Sequence, residues 1–230
     1  MTRIISGFAG SLVLKVPRSG TRPTSDRVRE AIFSALDARD VLPGAHVVDL
    51  YAGSGALGLE AASRGASEVT LVERASGAAS ICRANAALVR RVAPRGAAPE
   101  ITVAAQAAQT FLDHTPGGFD VVFLDPPYDL GASELGKALA SLSRSLRPGA
   151  IVMVERSSRS PEPVWPSGIA LDRRKDYGET TLWWASAVHT DEEAGADAGE
   201  DHEHDAAAQA PDRTEAAAGE GQPAEPFQSR

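Results

Sequence analysis

The chain has 230 residues, of which 43% are hydrophobic, and it carries a formal net charge of −8. This length suits one ordinary domain with extensions, and the composition is typical of a globular protein. The sequence has no run of about 18 apolar residues, so we expect no membrane-spanning helix. Its single cysteine, Cys82, excludes an internal disulfide and a cysteine-based zinc site. The first residues also lack the apolar stretch of a signal peptide, which predicts a cytoplasmic protein.

Charge is distributed unevenly along the chain. Residues 190–230 hold twelve acidic and two basic residues, whereas residues 1–189 hold 19 acidic and 21 basic ones. The first 36 residues are basic, which is typical of a nucleic-acid binder, although ordinary surface charge explains the excess equally well. The acidic segment is rich in Ala and Gly and has one aromatic residue. It cannot bury enough apolar area to offset its ordering entropy, so we predict a disordered tail at 189–230.

Two elements are predicted within an N-terminal extension, residues 1–40. Residues 2–16 alternate weakly around two glycines, which predicts a small hairpin. The helix that follows begins near Thr24 or Ser25, either of which can cap it. Its apolar face is formed by Val28, Ala31, Ile32, Ala35 and Leu36. Its polar face carries Arg22, Arg27 and Arg29.

From residue 41 to residue 188, short apolar runs alternate with helical stretches. The predicted strands are 46–51, 68–73, 100–104, 119–125, 150–155, 169–175 and 180–186. Strands that alternate with helices form βαβ units, which build a parallel sheet covered on both faces. The last two strands are separated only by the turn 176–178, so they must be antiparallel. The predicted fold is therefore α/β, a doubly wound, Rossmann-like sheet with an antiparallel terminal strand.

A glycine loop follows the strand at 46–51 and opens a helix. Residues 53–58, Gly-Ser-Gly-Ala-Leu-Gly, match the pattern G-x-G-x-x-G. Such glycines let the backbone approach a ligand closely, and in dinucleotide-binding proteins the ligand is a pyrophosphate at the helix N-terminus. The pattern alone is therefore compatible with several nucleotide ligands, or with a tight strand-to-helix turn.

Two acidic residues favour a different ligand. Asp49 lies four residues before Gly53, where its carboxylate would repel a pyrophosphate but could accept hydrogen bonds from a cationic amino acid moiety. Glu73 ends the second strand, where it can accept both hydroxyls of a ribose, as in sites for NAD and for S-adenosylmethionine. Together the two acids fit S-adenosylmethionine better than NAD.

The segment Asp125-Pro126-Pro127-Tyr128 directly follows the apolar strand 119–124. Two consecutive prolines stiffen the loop and leave its carbonyl oxygens available. The Asp125 carboxylate and the Pro126 carbonyl could accept hydrogen bonds from an exocyclic amino group and stabilise the positive charge that develops on its nitrogen. Tyr128 offers a face on which a base can stack. The alternative is a rigid turn with a buried Tyr128.

Several segments together resemble class I methyltransferases that act on amino groups of nucleobases. They are D-L-Y-A-G-S-G-A-L-G-L-E-A-A-S-R-G-A at 49–66, V-E-R at 72–74 and F-L-D-P-P-Y at 123–128. R-I-I-S-G at 3–7 and T-R-P-T-S-D-R-V-R-E-A-I-F at 21–33 narrow the resemblance to the RsmD family of 16S ribosomal RNA guanine-N2 methyltransferases. The similarity runs from Arg3 to about Trp184 and excludes the acidic tail.

The resemblance implies methyl transfer from S-adenosylmethionine to a guanine N2 amino group of 16S rRNA. It further suggests the assembled 30S subunit as the substrate, with no metal and no membrane involved. The implied cofactor contacts are Asp49, Tyr51, Ala52, Gly53, Ser54, Gly55, Glu73 and Ala107. The implied catalytic residues are Asp125, Pro126, Pro127 and Tyr128. The implied RNA contacts at the mouth of the site are Arg22, Thr24, Arg27 and Arg29.

One position departs from the family pattern. Family members often carry an acidic or amide residue that contacts the adenine amino group, where this chain has Ala107. Gln106 or a backbone carbonyl could take over that contact. The departure bears on cofactor affinity rather than on the type of reaction.

Other functions fit parts of the sequence. The same chemistry could serve adenine N6 in DNA or RNA, or a glutamine side chain. A DNA enzyme usually needs an added recognition domain, and a glutamine enzyme more typically has Asn at position 125. A NAD-dependent dehydrogenase is favoured by the glycine loop alone. An RNA-binding assembly protein without catalysis is disfavoured by the intact Asp49, Glu73 and Asp125.

Overall fold

A computed structural model describes residues 2–17 and 25–188 of the chain. All the described residues belong to one compact unit, Met1–Asp191. The predicted tail at 189–230 and the predicted RNA contacts Arg22 and Thr24 therefore lie outside the described residues. None of the helices in the described ranges is long and apolar enough to cross a membrane.

Nine strands and five helices follow one another in the described residues. In chain order they are β1 (Thr2–Arg3), β2 (Val13–Leu14), α1 (Asp26–Asp37), β3 (His46–Leu50), α2 (Ala56–Ser63), β4 (Glu68–Val72), α3 (Ser76–Val92), β5 (Glu100–Ala104), α4 (Ala108–His114), β6 (Phe119–Leu124), α5 (Ala132–Ser143), β7 (Leu146–Ser157), β8 (Ile169–Tyr177) and β9 (Thr180–Ala187). β1 and β2 pair antiparallel, so the predicted N-terminal hairpin is present.

Seven strands form one sheet in the order β5-β4-β3-β6-β7-β9-β8. β3 to β7 run parallel, whereas β9 runs antiparallel to its neighbours β7 and β8. The predicted doubly wound α/β fold with an antiparallel terminal strand is thus confirmed. The strand order reverses between β3 and β6, and ligands of such sheets bind beyond the carboxyl ends of the strands at this point.

The sheet separates two apolar layers. On one face, β-strand side chains such as Val47 and Phe123 pack against the N-terminal hairpin, α1, α2 and α3. On the other face, side chains such as Val48 and Val122 pack against α4 and α5. The central parallel strands β3 and β6 are therefore buried on both sides, which explains why their sequences are almost continuous apolar runs. The N-terminal extension shares its core with the sheet.

Two strands, β7 and β8, extend beyond their predicted bounds by more than one residue. β7 begins at Leu146 rather than at residue 150, because Leu146 pairs with Phe119 before a register shift that accommodates Pro148 and Gly149. β8 extends to Tyr177 rather than ending at 175. Asp176 pairs across the ladder with Thr181, whose hydroxyl donates to the Asp176 carboxylate at 2.5 Å, so the turn shifts to residues 178–179.

The prediction that Arg29 lies on an exposed polar face of α1 is wrong. Only 1% of its surface is exposed, because it shares one face of the helix with Ile32, Phe33 and Leu36 at the spacing of a buried stripe. Its Nη2 donates to the Arg3 carbonyl at 2.9 Å and to Asp26 at 2.6 Å. The predicted cap is confirmed as Ser25, whose hydroxyl accepts the Val28 N–H at 3.3 Å.

The N-terminal hairpin is attached to α2 by buried polar groups. The Glu60 carboxylate accepts the N–H groups of Ile5 at 2.6 Å and Ser6 at 2.9 Å. The Ser63 hydroxyl accepts the Ala9 N–H at 2.9 Å and donates to the Ser6 carbonyl at 2.6 Å. Since Glu60 is fully buried, these bonds satisfy the hairpin N–H groups and part of the acceptor capacity of the carboxylate, whose charge is paired with Arg64 at 2.7 Å. The hairpin is therefore held in one fixed position on the helix.

We expect Gly7→Ala to destabilise the protein more than Gly44→Ala. Both glycines have a left-handed backbone, with φ of +80° and +76°, so alanine costs roughly 1–2 kcal/mol at either position. A Cβ at Gly7 would also lie 1.8 Å from the Ser63 carbonyl oxygen, whereas nothing lies within 4 Å of one at Gly44. This overlap should add about 1–3 kcal/mol, measured by urea unfolding. Equal losses would contradict the close docking of the hairpin.

Candidate active site

A cleft of about 770 Å³ opens at the carboxyl ends of the parallel strands. The cleft is lined by the glycine loop after β3 and by the loop after β6, which includes Asp125 and Tyr128. Glu73 lies at the end of β4, Ala107 lies before α4, and Val16 belongs to the N-terminal segment. The fold thus brings most of the residues predicted from separate motifs into one cavity.

The spacing between the two loops is fixed by the sheet. β3 and β6 pair in parallel with Leu50 opposite Leu124, so Tyr51 and Asp125 leave neighbouring strands at the same level. Adjacent strands lie about 4.8 Å apart. The glycine loop and the Asp-Pro-Pro-Tyr loop therefore start side by side at the same end of the sheet.

Left-handed backbone geometry shapes the glycine loop. Tyr51, Gly53 and Gly55 have φ of 70°, 57° and 79°. Positive φ is uncommon for a residue such as tyrosine and is often retained at functional sites. Gly58 has a packing role, since a Cβ there would lie 2.4 Å from the Leu71 side chain of β4. Its lack of a side chain lets α2 start directly against the sheet.

Asp49 lies beneath this loop, with only 2% of its surface exposed. Its Oδ2 accepts the Gly58 N–H at 2.9 Å. Burial raises the pKa of Asp49 to about 7, against the lowering effect of that hydrogen bond, and the charges of Asp125 and Glu73 raise it further. Asp49 therefore supports the start of α2 and places a readily protonated acid near the cleft.

Glu73 connects the loop to the next helix. Its Oε2 accepts the Gly53 N–H at 2.9 Å, and its Oε1 accepts the Ala75 N–H at 2.7 Å. Each carboxylate oxygen can accept a second hydrogen bond. The half-buried Glu73 lines the cleft, so its remaining lone pairs are available to a bound molecule.

Helix α3 holds the loop from the opposite side. The Cys82 thiol donates to the Gly53 carbonyl at 3.2 Å, and the Asn85 amide donates to the Ser54 carbonyl at 2.8 Å. Burial raises the pKa of Cys82 to about 12, so this residue remains a neutral thiol and is not a nucleophile. The sequence analysis pointed to neither Cys82 nor Asn85 as a support of this loop.

The Asp-Pro-Pro-Tyr loop presents a partly exposed surface to the cleft. Asp125 is half-buried, Pro126 is buried, and Tyr128 is 59% exposed, so the alternative of a buried tyrosine is wrong. The Leu130 N–H donates to the Pro127 carbonyl at 2.9 Å and closes the turn. Tyr128 therefore has a free aromatic face beside Asp125.

Arg156 of β7 braces the same loop, and no sequence motif pointed to it. The residue is 8% exposed, and its Nη2 donates to the Leu130 carbonyl at 2.8 Å. Burial lowers the pKa of Arg156, whereas the nearby Tyr51 and Asp125 raise it. A buried cation thus lies within electrostatic range of both loops.

The segment before α4 contains the departure from the family pattern. Ala107 lines the cleft but has no polar side-chain atom, and Gln106 and Gln109 line the cleft beside it. Gln109 Nε2 donates to Asp113 at 2.7 Å and to the Ser141 hydroxyl at 2.8 Å. A carboxylate only accepts, so the amide nitrogen must face Asp113 and Oε1 must face away. No described residue donates to Gln109 Oε1.

The predicted RNA contacts fall into different environments. Arg27 is exposed on α1. Arg29 is buried but contributes to the lining of the cleft, and its Nε and Nη1 find no acceptor within the described part of the chain. Arg22 and Thr24 lie outside the described residues. Residues 2–17 and 25–188 also contain no cluster of three or more His, Cys, Asp or Glu side chains that could hold a metal ion.

The sheet order, the glycine loop after β3, the acid after β4 and the Asp-Pro-Pro-Tyr loop after β6 define a class I methyltransferase fold. A magnesium protoporphyrin IX methyltransferase from Synechocystis PCC 6803, solved with bound S-adenosylmethionine, shares this fold. It is 15% identical with a TM-score of 0.55, and the match covers 74% of this chain and 87% of that one.

The chain belongs to the family described as conserved hypothetical protein 95, whose model matches residues 2–186. This is the RsmD family that the motifs predicted. The chain is 35% identical over 178 residues to ribosomal RNA small subunit methyltransferase D of Escherichia coli K12, covering 77% of this chain and 85% of the relative. A hypothetical protein of Thermus thermophilus has a solved structure with 31% identity and a TM-score of 0.68, covering 80% and 98% of the two chains.

The raised pKa of Asp49 predicts a pH-dependent difference between the protein and its Asp49→Asn variant. The variant keeps an oxygen that can accept the Gly58 N–H but cannot ionise. Between the ordinary pKa of 3.8 and about 7, the folded wild type holds a proton that the unfolded chain has released. Its stability should therefore fall as pH rises through this window and level off above it.

The unfolding free energy of Asp49→Asn minus that of the wild type should therefore increase by up to about 4 kcal/mol from pH 4 to pH 7. The figure follows from roughly 1.36 kcal/mol per pKa unit. Urea unfolding at several pH values measures this change. Parallel pH profiles for the two proteins would show that Asp49 ionises normally in the folded state.

Proposed function

We propose that this protein transfers a methyl group from S-adenosylmethionine to the N2 amino group of a guanine in 16S rRNA of the 30S subunit, in the cytoplasm. The observation that carries the proposal is the joint position of Asp125, Pro126 and Tyr128 in one cleft with the glycine loop. The E. coli relative named ribosomal RNA small subunit methyltransferase D supports an rRNA substrate for this chain too.

The cleft fits S-adenosylmethionine, which supplies an electrophilic methyl group on a sulfonium that is already an activated leaving group. Glu73 offers free lone pairs for ribose hydroxyls, and the backbone of residues 51–55 can approach a ligand closely at Gly53. The Asp125 and Glu73 carboxylates line the cleft beside the glycine loop, where they suit a cationic ligand and would repel a pyrophosphate. This repulsion argues against the NAD alternative.

The target amino group is a poor nucleophile, because its lone pair is delocalised into the base. The Asp125 carboxylate and the Pro126 carbonyl supply acceptors for its two hydrogens, which favours a pyramidal nitrogen. They also stabilise the positive charge that forms there during transfer. The exposed ring of Tyr128 stacks on the base and fixes its plane. Alignment and charge complementarity thus supply the catalysis, without a covalent enzyme intermediate.

RNA is held outside the base pocket. Arg27 is exposed near the N-terminus of α1, where a phosphate also benefits from the positive end of the helix dipole. Arg22 and Thr24 remain predicted contacts of the same mouth. We do not retain Arg29 as a phosphate ligand, because its side chain is buried and partly paired with Asp26.

The first experiment measures transfer of labelled methyl groups to three substrates: undermethylated 30S subunits, protein-free 16S RNA and duplex DNA. We expect label on 30S subunits, recovered as N2-methylguanosine after digestion to nucleosides. Equal or better transfer to protein-free RNA would contradict the preference for the subunit. N6-methyladenine, or label on a glutamine side chain of a protein, would replace the guanine assignment with one of the alternatives.

Asp125→Asn should lower the rate of methyl transfer by roughly 10²–10³-fold, because it removes the negative charge opposite the developing cation. Cofactor affinity, measured by calorimetry, should change little. The matched control is Asp129→Asn, the same exchange at an exposed position of the same loop. An Asp125→Asn variant as active as the control would remove Asp125 from the reaction.

We further propose that Gln109, rather than Gln106, accepts the hydrogen bond from the adenine amino group that Ala107 cannot accept. Gln109 Oε1 is the amide atom left available once Asp113 and Ser141 have fixed Nε2. Ser141 Oγ donates to Asp113 at 3.1 Å, so the arrangement has no equally good flipped form.

S-adenosylhomocysteine and its deaminated analogue, S-inosylhomocysteine, test this assignment. The wild type should prefer S-adenosylhomocysteine by about 10-fold or more, because the analogue brings a carbonyl to an acceptor. Gln109→Met should reduce this ratio to near one, whereas the control Gln106→Met should leave it unchanged. The reverse pattern would assign the contact to Gln106. Calorimetric titration of each protein with the two ligands gives the ratios.

A further inference from the structure

Asn85 lies within α3 and is fully buried, yet it is polar and takes no part in the chemistry described above. Its side chain makes three hydrogen bonds to the backbone. Oδ1 accepts the Lys15 N–H at 2.9 Å, and Nδ2 donates to the Lys15 carbonyl at 2.9 Å and to the Ser54 carbonyl at 2.8 Å. Asn85 therefore bridges two parts of the chain that are distant in sequence.

The orientation of this amide is forced by its partners. A backbone N–H only donates and a carbonyl only accepts, so Oδ1 must face the Lys15 N–H and Nδ2 must face the two carbonyls. Both hydrogens of Nδ2 are in use. A displacement of Ser54 consequently strains the bonds to Lys15, because the amide has no spare donor with which to compensate.

The two bridged segments form two walls of the cleft. Ser54 belongs to the glycine loop, and Val16 and Pro17, which directly follow Lys15, line the cleft as well. Val16 is 39% exposed. Asn85 thus fixes the separation between the wall that the proposed cofactor contacts and the segment that leads to the proposed RNA contacts.

We propose that Asn85 is a positioning residue that couples cofactor binding to RNA binding, by transmitting the position of the glycine loop to residues 15–17. The identity of the two ligands rests on the proposed function. By thermodynamic linkage, a cofactor that strengthens RNA binding must itself be bound more tightly when RNA is present. Substituting a buried polar residue that only stabilises the fold would leave this coupling unchanged, whereas substituting Asn85 should reduce it.

Two other residues provide controls, because one bonds only the N-terminal hairpin and the other bonds only the glycine loop. The Ser63 side chain bonds the N-terminal hairpin at Ala9 and Ser6. Cys82 bonds Gly53 of the glycine loop from the same helix as Asn85. Substituting either one loosens the hairpin or the glycine loop separately and leaves the hydrogen bonds of Asn85 in place.

The first test compares RNA affinity with and without saturating S-adenosylhomocysteine. In wild type we expect at least a roughly fivefold gain, within the usual range of coupling between sites. Asn85→Asp preserves the size of the side chain but places an acceptor against the Lys15 and Ser54 carbonyls, and it should reduce the gain to below about twofold. Ser63→Ala and Cys82→Ala should weaken individual affinities but keep the wild-type ratio. An unchanged ratio in a folded Asn85→Asp protein would overturn the proposal.

The second test needs neither a variant nor RNA. When S-adenosylhomocysteine binds the wild type, hydrogen exchange should slow at the Lys15 amide, which donates to Asn85, as well as at residues 51–58. Protection confined to residues 51–58 would overturn the proposal. Failure of the wild type to methylate RNA would instead count against the proposed function, so the two failures are distinguishable.

Discussion

The backbone between β3 and α2 has to reverse within a few residues, and it does so with left-handed φ values at Tyr51, Gly53 and Gly55. This turn directs the Gly53 N–H towards Glu73 and the Gly53 carbonyl towards Cys82, at 2.9 Å and 3.2 Å. Residues at the end of β4 and within α3 therefore hold the loop in place. Helix α2 can begin this close to the sheet only because Gly58 lacks a side chain. A ligand that enters the cleft meets a surface whose hydrogen-bonding groups are already fixed, so little ordering entropy is lost on binding.

Two charged residues near this loop are buried, and their burial lowers the stability of the fold. Asp49 is 2% exposed, and burial raises its pKa to about 7, so the ionised form is disfavoured until a cation approaches. Arg156 is buried beneath the Asp-Pro-Pro-Tyr loop, and its Nη1 lacks a partner among the described residues. Buried charges that are incompletely paired destabilise a protein. Both lie near the cleft, where the proposed function requires a field suited to a charged reactant.

Much of the fold could be predicted because its signals are local. Apolar runs, turns and the spacing of the glycine loop each lie within a few residues, and together they placed nearly all the strands and the two motif loops. Arg29 was assigned to the wrong face of α1 because its polar type was given more weight than its spacing from Ile32 and Leu36. Asn85 and Gln109 could not be found in this way. Their partners lie 70 and 32 residues away in the sequence, and nothing in an amphipathic helix marks a polar residue that will bond a distant backbone or side chain.

The distance between the two halves of the site depends on neither loop. Leu50 and Leu124 pair in parallel in the centre of the sheet, so the glycine loop and the Asp-Pro-Pro-Tyr loop begin from adjacent strands whose spacing is set by backbone hydrogen bonds, at about 4.8 Å. Methyl transfer without a covalent enzyme intermediate depends mainly on how donor and acceptor are aligned. The backbone of the sheet therefore fixes how far apart the two loops begin, and the side chains of the loops then select and orient the ligands. This division requires that each loop be held to the sheet, by Glu73 for the first and by Arg156 for the second.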